Sequence, residues 1–322
     1  MEYHALGRSG LRVPRLALGT WLTLARIPRA EAAGLVAAAL EAGINFFDTA
    51  DVYDRGGAEE VLGELLAPHR REHLVVATKA FHPMSDDPND RGLSRKHLFE
   101  SVHASLRRLR TDYLDLFQFH RFDPETPLEE TIRAVGDLIR QGKVLYWGTS
   151  MWSASQLRVA CRLADELGVP RPISEQPRFN MLCREIEAEV LPACRELGIG
   201  LLFWSPLAQG LLTGKYRRGQ APPAGSRGAD PRRVGQFLDR ALASDEVWDR
   251  VERVLALADR AGVPPAVLAV AWCLRRAPEG TVLLGASRVE QLRELVPAAT
   301  MDWPEGLEEA LEEALAGPPL KL

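Results

Sequence analysis

The chain has 322 residues, 46% of them hydrophobic, with a net charge of -4 and a pI near 6.0. That apolar content excludes a disordered chain, and the acidic balance argues against nucleic acid as a partner. Cys161, Cys183, Cys194 and Cys273 lie far apart with no C-x-x-C, which argues against structural zinc or a disulfide framework and fits reduced thiols in a cytoplasm.

The N-terminus, MEYHALGRSG, lacks a charged region followed by an apolar run, so no signal peptide is expected. No apolar stretch reaches the length of a membrane span, so membrane insertion is not expected either. Tyr3–Val13 holds the turn Gly7-Arg8-Ser9-Gly10 and predicts a hairpin that plugs the bottom of a barrel. Eight short apolar runs follow: Arg15–Gly19, Ile44–Phe47, Leu74–Ala77, Tyr113–Phe119, Val144–Trp147, Pro172–Glu175, Gly200–Phe203 and Thr281–Leu284. Segments of helical period separate them. Ser94 predicts a cap for RKHLFESVHASLRRLR, and Thr126-Pro127 predicts a helix with proline at its first position. Ser153-x-x-Gln156 and Ser287-x-x-Glu290 read as capping boxes, and Gly43, Gly142, Gly168 and Gly198 as helix stops.

Eight strands alternating with helices is the pattern of a (β/α)8 TIM barrel, although a doubly wound sheet alternates too. No linker or internal repeat interrupts residues 1–322, so one domain is expected. The rhythm breaks only from Leu207 to Leu242, where GKYRRGQAPPAGSRGADPRRVGQ reads as a long loop, either functional or a plain surface excursion.

In such a barrel the active site lies at the C-terminal ends of the strands. The first run ends in Gly19-Thr20-Trp21, the second in Asp48-Thr49 with Asp51 and Tyr53 beyond, the third in Lys79, and the fourth in His120-Arg121. Singly, each has a plainer reading: a turn cap, a solvated end, a satisfied core histidine, a packing tyrosine. Together, burying Asp48, Tyr53, Lys79 and His120 side by side is costly unless they pair. Their chemistry is then specific. The Lys79 ammonium lowers the pKa of the Tyr53 phenol, Asp48 keeps Lys79 charged, and His120 bonds a substrate oxygen or relays its proton. Such an acid protonates a carbonyl oxygen while hydride from a cofactor attacks the carbon.

The other strand ends offer that cofactor a bed. Gly285-Ala286-Ser287-Arg288, opening a helix after the eighth run, suits a phosphate. Ser287 as a mere cap is the competing reading. The loop after the seventh run adds Lys215, Arg217, Arg218 and Arg227. Trp204 offers a ring to a flat heterocycle, and Ser150 and Gln176 offer partners to a carboxamide. No G-x-G-x-x-G follows a strand, and Leu211–Tyr216 is not a P-loop. No H-x-H or H-E-x-x-H occurs, so metal-dependent hydrolysis lacks its ligands.

The ordered motifs resemble the aldo-keto reductase superfamily over nearly the whole chain. They are Leu18-Gly19-Thr20-Trp21, Phe47–Tyr53, Thr78-Lys79, Arg91–His97, Gly148-Thr149-Ser150, Glu175-Gln176, Trp204–Ala208, Leu212–Tyr216 and Leu284–Ser287. Within it the chain resembles the branch of bacterial reductases and potassium-channel β-subunits. The resemblance implies a β/α barrel binding NADPH/NADP+, with Tyr53 as general acid, Lys79 and Asp48 tuning it, and His120 orienting the carbonyl. It also implies Thr20, Trp21, Asp48, Ser150, Gln176 and Trp204 around the nicotinamide. Ser205, Leu207, Lys215 and Arg227 match the pyrophosphate region, and Gly285, Ser287, Gln291 and Glu294 the adenosine end. Arg288 is added as a 2′-phosphate partner from its charge and place. Met151 and Leu295 depart from the family pattern, which often has asparagine or arginine at the first position and asparagine at the second.

The leading expectation is NADPH-dependent reduction of an aldehyde or ketone, with a small-molecule carbonyl substrate; a homo-oligomer is the further partner considered. The alternatives are an NADP(H)-binding regulatory or sensor subunit of the channel β-subunit type and a Schiff-base lyase using Lys79. Trp21, Phe81–Pro88 and Trp152 are the candidate substrate-loop residues.

Overall fold

A computed structural model describes residues 1–230, 236–318 and 320. Two short strands, β1 (Tyr3–Ala5) and β2 (Arg12–Pro14), pair antiparallel. Eight more then form one closed parallel barrel: β3 (Leu16–Gly19), β4 (Phe46–Asp48), β5 (Val75–Ala80), β6 (Leu114–Phe119), β7 (Val144–Ser150), β8 (Ser174–Gln176), β9 (Gly200–Phe203) and β10 (Gly280–Leu284). Each expected run overlaps one of these strands, although β4, β5, β7 and β8 run on past its C-terminal end and β10 starts one residue before it, and closure of β10 onto β3 rules out the open, doubly wound sheet.

The period-two alternation of these strands divides the protein into two cores. Leu18, Phe47, Val76, Phe117, Phe203 and Leu284 face outward against the helices. Ala17, Phe46, Val75, Ala77, Leu116, Leu202 and Leu283 fill the barrel interior. Leu6 and Val13 of the hairpin join that inner cluster and close its N-terminal end, as expected. The hairpin is fastened there by Arg8 N–H donating to Gly198 O at 2.8 Å.

One more step along the same inward rows changes the chemistry. Above Phe46 stands Asp48, above Ala77 stands Lys79, above Leu116 stands Gln118, and above Leu202 stands Trp204. The lower barrel is therefore apolar and its upper rim polar, and the strand register aligns the rim: Lys79 sits beside Gln118, Gln118 beside Gly148, and Ser150 beside Gln176. Gly148 has no room for a side chain, because a Cβ there would lie 2.0 Å from Ser174 Oγ.

Helix ends follow the sequence with two differences. Ser94 caps the helix Arg95–Leu109, and Ser153 with Gln156 forms a complete capping box. The four expected glycine stops all have positive φ. Pro127, however, is the cap residue of Leu128–Arg140 rather than its first helical residue. The Ser287 box is not formed either. The helix Val289–Leu295 is flanked by Arg288, and Gln291, not Glu290, reaches back to bond Ser287.

The segment expected as one loop from Leu207 to Leu242 is partly ordered. It contains short helical turns at Ala208–Thr213 and Arg227–Ala229 and a helix at Gln236–Leu242. Its part at 231–235 lies outside the described residues. The buried Tyr216 anchors it by accepting the Gly228 N–H at 3.0 Å. Among the described residues no single helix is long and apolar enough to cross a membrane.

The plug gives a clean test. Gly7 has φ +59°, and a Cβ there would come within 2.5 Å of Gly198 O, whereas a Cβ on Gly10 meets nothing within 4 Å. Gly7→Ala should therefore lower unfolding free energy by about 2 kcal/mol or more and Gly10→Ala by less than about 0.5 kcal/mol, read by urea denaturation.

Candidate active site

The polar rim is organised around a carboxylate. Asp48 Oδ2 accepts from Lys79 Nζ at 2.6 Å, and Oδ1 accepts from Gln176 Nε2 at 2.9 Å and Gln118 Nε2 at 3.3 Å. Lys79 is fully buried, so its charge is tolerable only if every proton finds an acceptor. Its Nζ meets three: Asp48, the Thr49 carbonyl at 2.7 Å and the Tyr53 hydroxyl at 3.4 Å. Burial alone would strip the proton from Lys79, but Asp48 and Tyr53 more than offset it and hold the pKa above its ordinary value.

Tyr53 therefore accepts from the lysine, and its own O–H is left to donate into the bowl. Lys79 does pull the phenol's pKa down, as expected, but it does not set the net direction. Burial raises it first, Lys79 pulls it down, Asp48 pushes it up again, and the net shift is upward. The reason is that the cost of charging a buried phenol outweighs the pull of the lysine, and the Asp48 charge adds to that cost. The phenol consequently holds its proton at neutral pH.

His120 meets the Tyr53 ring edge-on at 5.8 Å and the His82 ring at 4.7 Å. Burial, then Lys79, His82 and Arg121, press its pKa well below the usual range, so the imidazole is neutral. Its buried Nδ1 has no partner among the described residues. A proton-bearing phenol and a neutral imidazole thus flank one opening. Lys79 is poorly suited to Schiff-base chemistry, because it is protonated and has three acceptors.

The walls are aromatic. Trp21, 40% exposed, lies 6.5 Å from both Tyr53 and Trp204. Trp152, expected in the substrate loop, is instead buried against Phe119 and Phe122. Phe81 and His82 do stand at the rim, half-buried. Met151 adopts φ +61° and is 42% exposed, and its sulfur accepts the Arg178 N–H at 3.4 Å. Leu295 is simply buried core.

The residues expected around a cofactor are arranged along the far side. Ser150 donates to the Gln176 backbone carbonyl at 2.9 Å, and Gln176 uses its amide N–H on Asp48, leaving its side-chain oxygen for a ligand. Thr20 is buried with its hydroxyl donating to Thr49 Oγ1 at 2.9 Å, so it braces the rim rather than facing the bowl. Ser205 has φ +59°, and its carbonyl accepts from Asn180, while the Leu207 carbonyl takes the Gly210 N–H. Arg227 reaches across the mouth to lie 5.0 Å above the Trp21 ring. Arg218 does not join: it pairs with Asp249 and Glu252 on the helix Asp245–Arg260, and Arg217 turns to a groove beside Leu255.

A phosphate-bearing group fits this side. Lys215 is accessible yet partly desolvated, and its pKa is lowered first by burial and then by Arg227 and Arg288. Three cations drawn together from two loops call for an anion between them. Gly285 beside them presents open space, since a Cβ there would touch nothing within 4 Å. The Ser287 N–H and hydroxyl both donate to Gln291 Oε1, at 3.0 and 3.1 Å, and the helix start itself has no side-chain cap. Glu294 is exposed on the same helix.

Gln118 was not singled out from the sequence, although it lies two residues before His120 and thus on the same strand face. Glu175 is a second omission of role. Its buried carboxyl accepts from the Thr149 hydroxyl and the Trp152 N–H and fixes the Met151 turn. Asp51, also buried, accepts from Ser101 at 2.8 Å behind Tyr53.

The C-terminal rim of this β/α barrel thus brings together a protonated phenol, a neutral imidazole and a cluster of cations. Residues 15–306 match the Aldo/keto reductase family model, and the chain belongs to that family. It is 43% identical over 302 residues to a probable voltage-gated potassium channel subunit beta of Arabidopsis thaliana, covering 92% of this chain and 91% of that protein. A protein of the same description from Oryza sativa subsp. japonica matches equally, at 43% identity and the same coverage. Membership implies oxidoreductase chemistry, generally with a nicotinamide dinucleotide.

The two buried acids give a pH prediction. Burial raises both Asp51 and Glu175 to about 7. A carboxyl whose pKa is higher folded than unfolded favours folding at low pH and loses that contribution as pH rises from about 4 through 7. Relative to wild type, the double variant Asp51→Asn/Glu175→Gln should gain stability between pH 5 and pH 8, on the order of a few kcal/mol. Parallel urea midpoints at the two pH values measure it, and an unchanged difference between the proteins would contradict the assignment.

Proposed function

We propose that the protein reduces an aldehyde or ketone to an alcohol with NADPH. The observation that carries this is the Tyr53 hydroxyl, which receives a hydrogen bond from Lys79 and keeps its own proton for the bowl beside neutral His120. A reduced nicotinamide bound there supplies the hydride. Tyr53 donates its proton to the carbonyl oxygen, and His120 orients that oxygen by a hydrogen bond. As the phenol gives up its proton, Lys79 stabilises the phenolate at once, with no solvent to rearrange. Asp48 keeps Lys79 charged throughout.

Ser150 and Gln176 would hold the carboxamide and Trp204 the ring. Lys215, Arg227, Ser205 and Leu207 would surround the pyrophosphate, with Gly285, Ser287, Gln291 and Glu294 at the adenosine end. Arg288 would meet the 2′-phosphate. Tyr53→Phe should lower kcat for small aldehydes by about 100-fold or more while leaving NADPH affinity within about threefold. Nicotinamide absorbance and fluorescence titration read the two quantities, and full activity in the variant would sink the mechanism. Arg288→Ala should weaken NADPH by roughly 10-fold and NADH little, if the 2′-phosphate is its partner.

A second reading follows from the curated relatives, which are named as channel subunits. On that reading the protein holds the nicotinamide as a sensor. Multiple rapid turnovers with small aldehydes count against it, whereas a single slow turnover per site supports it. The free, buried cysteines support the proposal of a reducing, cytoplasmic setting.

A further inference from the structure

Arg121 follows His120 at the end of β6, and no step of the proposed reduction uses it. It is half-buried. Several other shielded arginines grip a carboxylate: Arg71 holds Asp115 at 2.6 Å, Arg108 holds Glu59 at 2.6 Å, and Arg276 holds Glu187 at 2.9 Å, while the buried Arg15 spends its guanidinium on the Pro278 and Leu274 carbonyls. Arg121 makes no such pair among the described residues. Its one hydrogen bond there runs from Nη1 to the carbonyl of its neighbour His120.

The guanidinium nevertheless acts electrostatically on the groups of the bowl: Tyr53, His120, His82 and Glu175. The one acid among them, Glu175, lies beyond ion-pair range and already receives the Thr149 hydroxyl and the Trp152 N–H. A guanidinium has five donors in a planar fork, and partial burial is costly while most of them lack an acceptor. At the mouth of a substrate bowl, the missing acceptor is most simply part of what enters.

Resting on the reductase reading, we propose that Arg121 is a specificity-determining residue that grips an anionic group on the substrate. The preferred substrates are then aldehydes or ketones that also carry a carboxylate or phosphate.

The test compares kcat/KM for 4-carboxybenzaldehyde, 4-formylphenyl phosphate and methyl 4-formylbenzoate in wild type, Arg121→Gln and Arg121→Lys. Wild type should favour an anionic aldehyde over the neutral ester by roughly 10-fold or more. That ratio should collapse toward one in Arg121→Gln and recover in part in Arg121→Lys. The larger ratio identifies carboxylate or phosphate as the group held. A defect of folding or chemistry lowers all three aldehydes together and leaves the ratio standing. A ratio near one in wild type, or one preserved in Arg121→Gln, overturns the proposal. If wild type reduces none of the three, the reductase reading itself has failed. Calorimetric binding of 4-(hydroxymethyl)benzoate then decides Arg121 separately: affinity about tenfold weaker in Arg121→Gln supports its role, and equal affinity overturns it.

Discussion

The buried contact between Asp48 and Lys79 is the constraint on which the site depends. A lysine with no solvent exposure keeps its charge only because a carboxylate, a backbone carbonyl and a phenol oxygen take its three protons. Asp48 is in turn held by two amides, Gln118 from β6, two strands round the barrel, and Gln176 from β8 on the opposite side of the rim. One carboxylate thus ties β4, β5, β6 and β8 together at their C-terminal ends. The phenol of Tyr53 hangs from that framework with its hydrogen-bond direction already set. Buried ion pairs of this kind do little for stability and much for geometry, which is what proton donation requires.

The rest of the fold prepares that level. Apolar residues fill the lower barrel, and the hairpin residues Leu6 and Val13 close its base. Period-two alternation then delivers polar side chains to the rim from the same inward rows. The loop after β9 adds Lys215 and Arg227, and the contact of Arg227 with Trp21 joins the cationic side of the mouth to the aromatic side.

Much of this was legible in the residues. Each strand overlapped an expected run, because β-branched and aromatic clusters alternating with helical periods are a strong signal, but the polar rim residues at the ends of β4, β5, β7 and β8 fell outside the apolar runs. Asp48, Lys79 and His120 were legible because each came just after an apolar run, and Tyr53 because it followed in the loop just beyond the second. Gln118 was missed for the opposite reason: it is flanked by Phe117 and Phe119 inside a strand, and only its parity with His120 marks it. The Ser287 cap went to Gln291 rather than Glu290 because the helix begins one residue later than the motif implies. Arg218 looked like part of the phosphate bed by charge alone, and the nearby acids of the helix Asp245–Arg260 claimed it. The direction of the Tyr53 shift depended on burial, a quantity that a linear sequence does not carry.

The most direct test of the account is the ionisation of Tyr53 itself. Protein carrying 13Cζ-labelled tyrosine, with Tyr53 assigned by the Tyr53→Phe variant, would be titrated by NMR without ligand. The Tyr53 resonance should titrate above the ordinary tyrosine value of 10.0, and higher again in Lys79→Met. A wild-type Tyr53 that ionises well below that value, or one indifferent to loss of Lys79, would contradict a phenol kept protonated by burial and poised by the lysine.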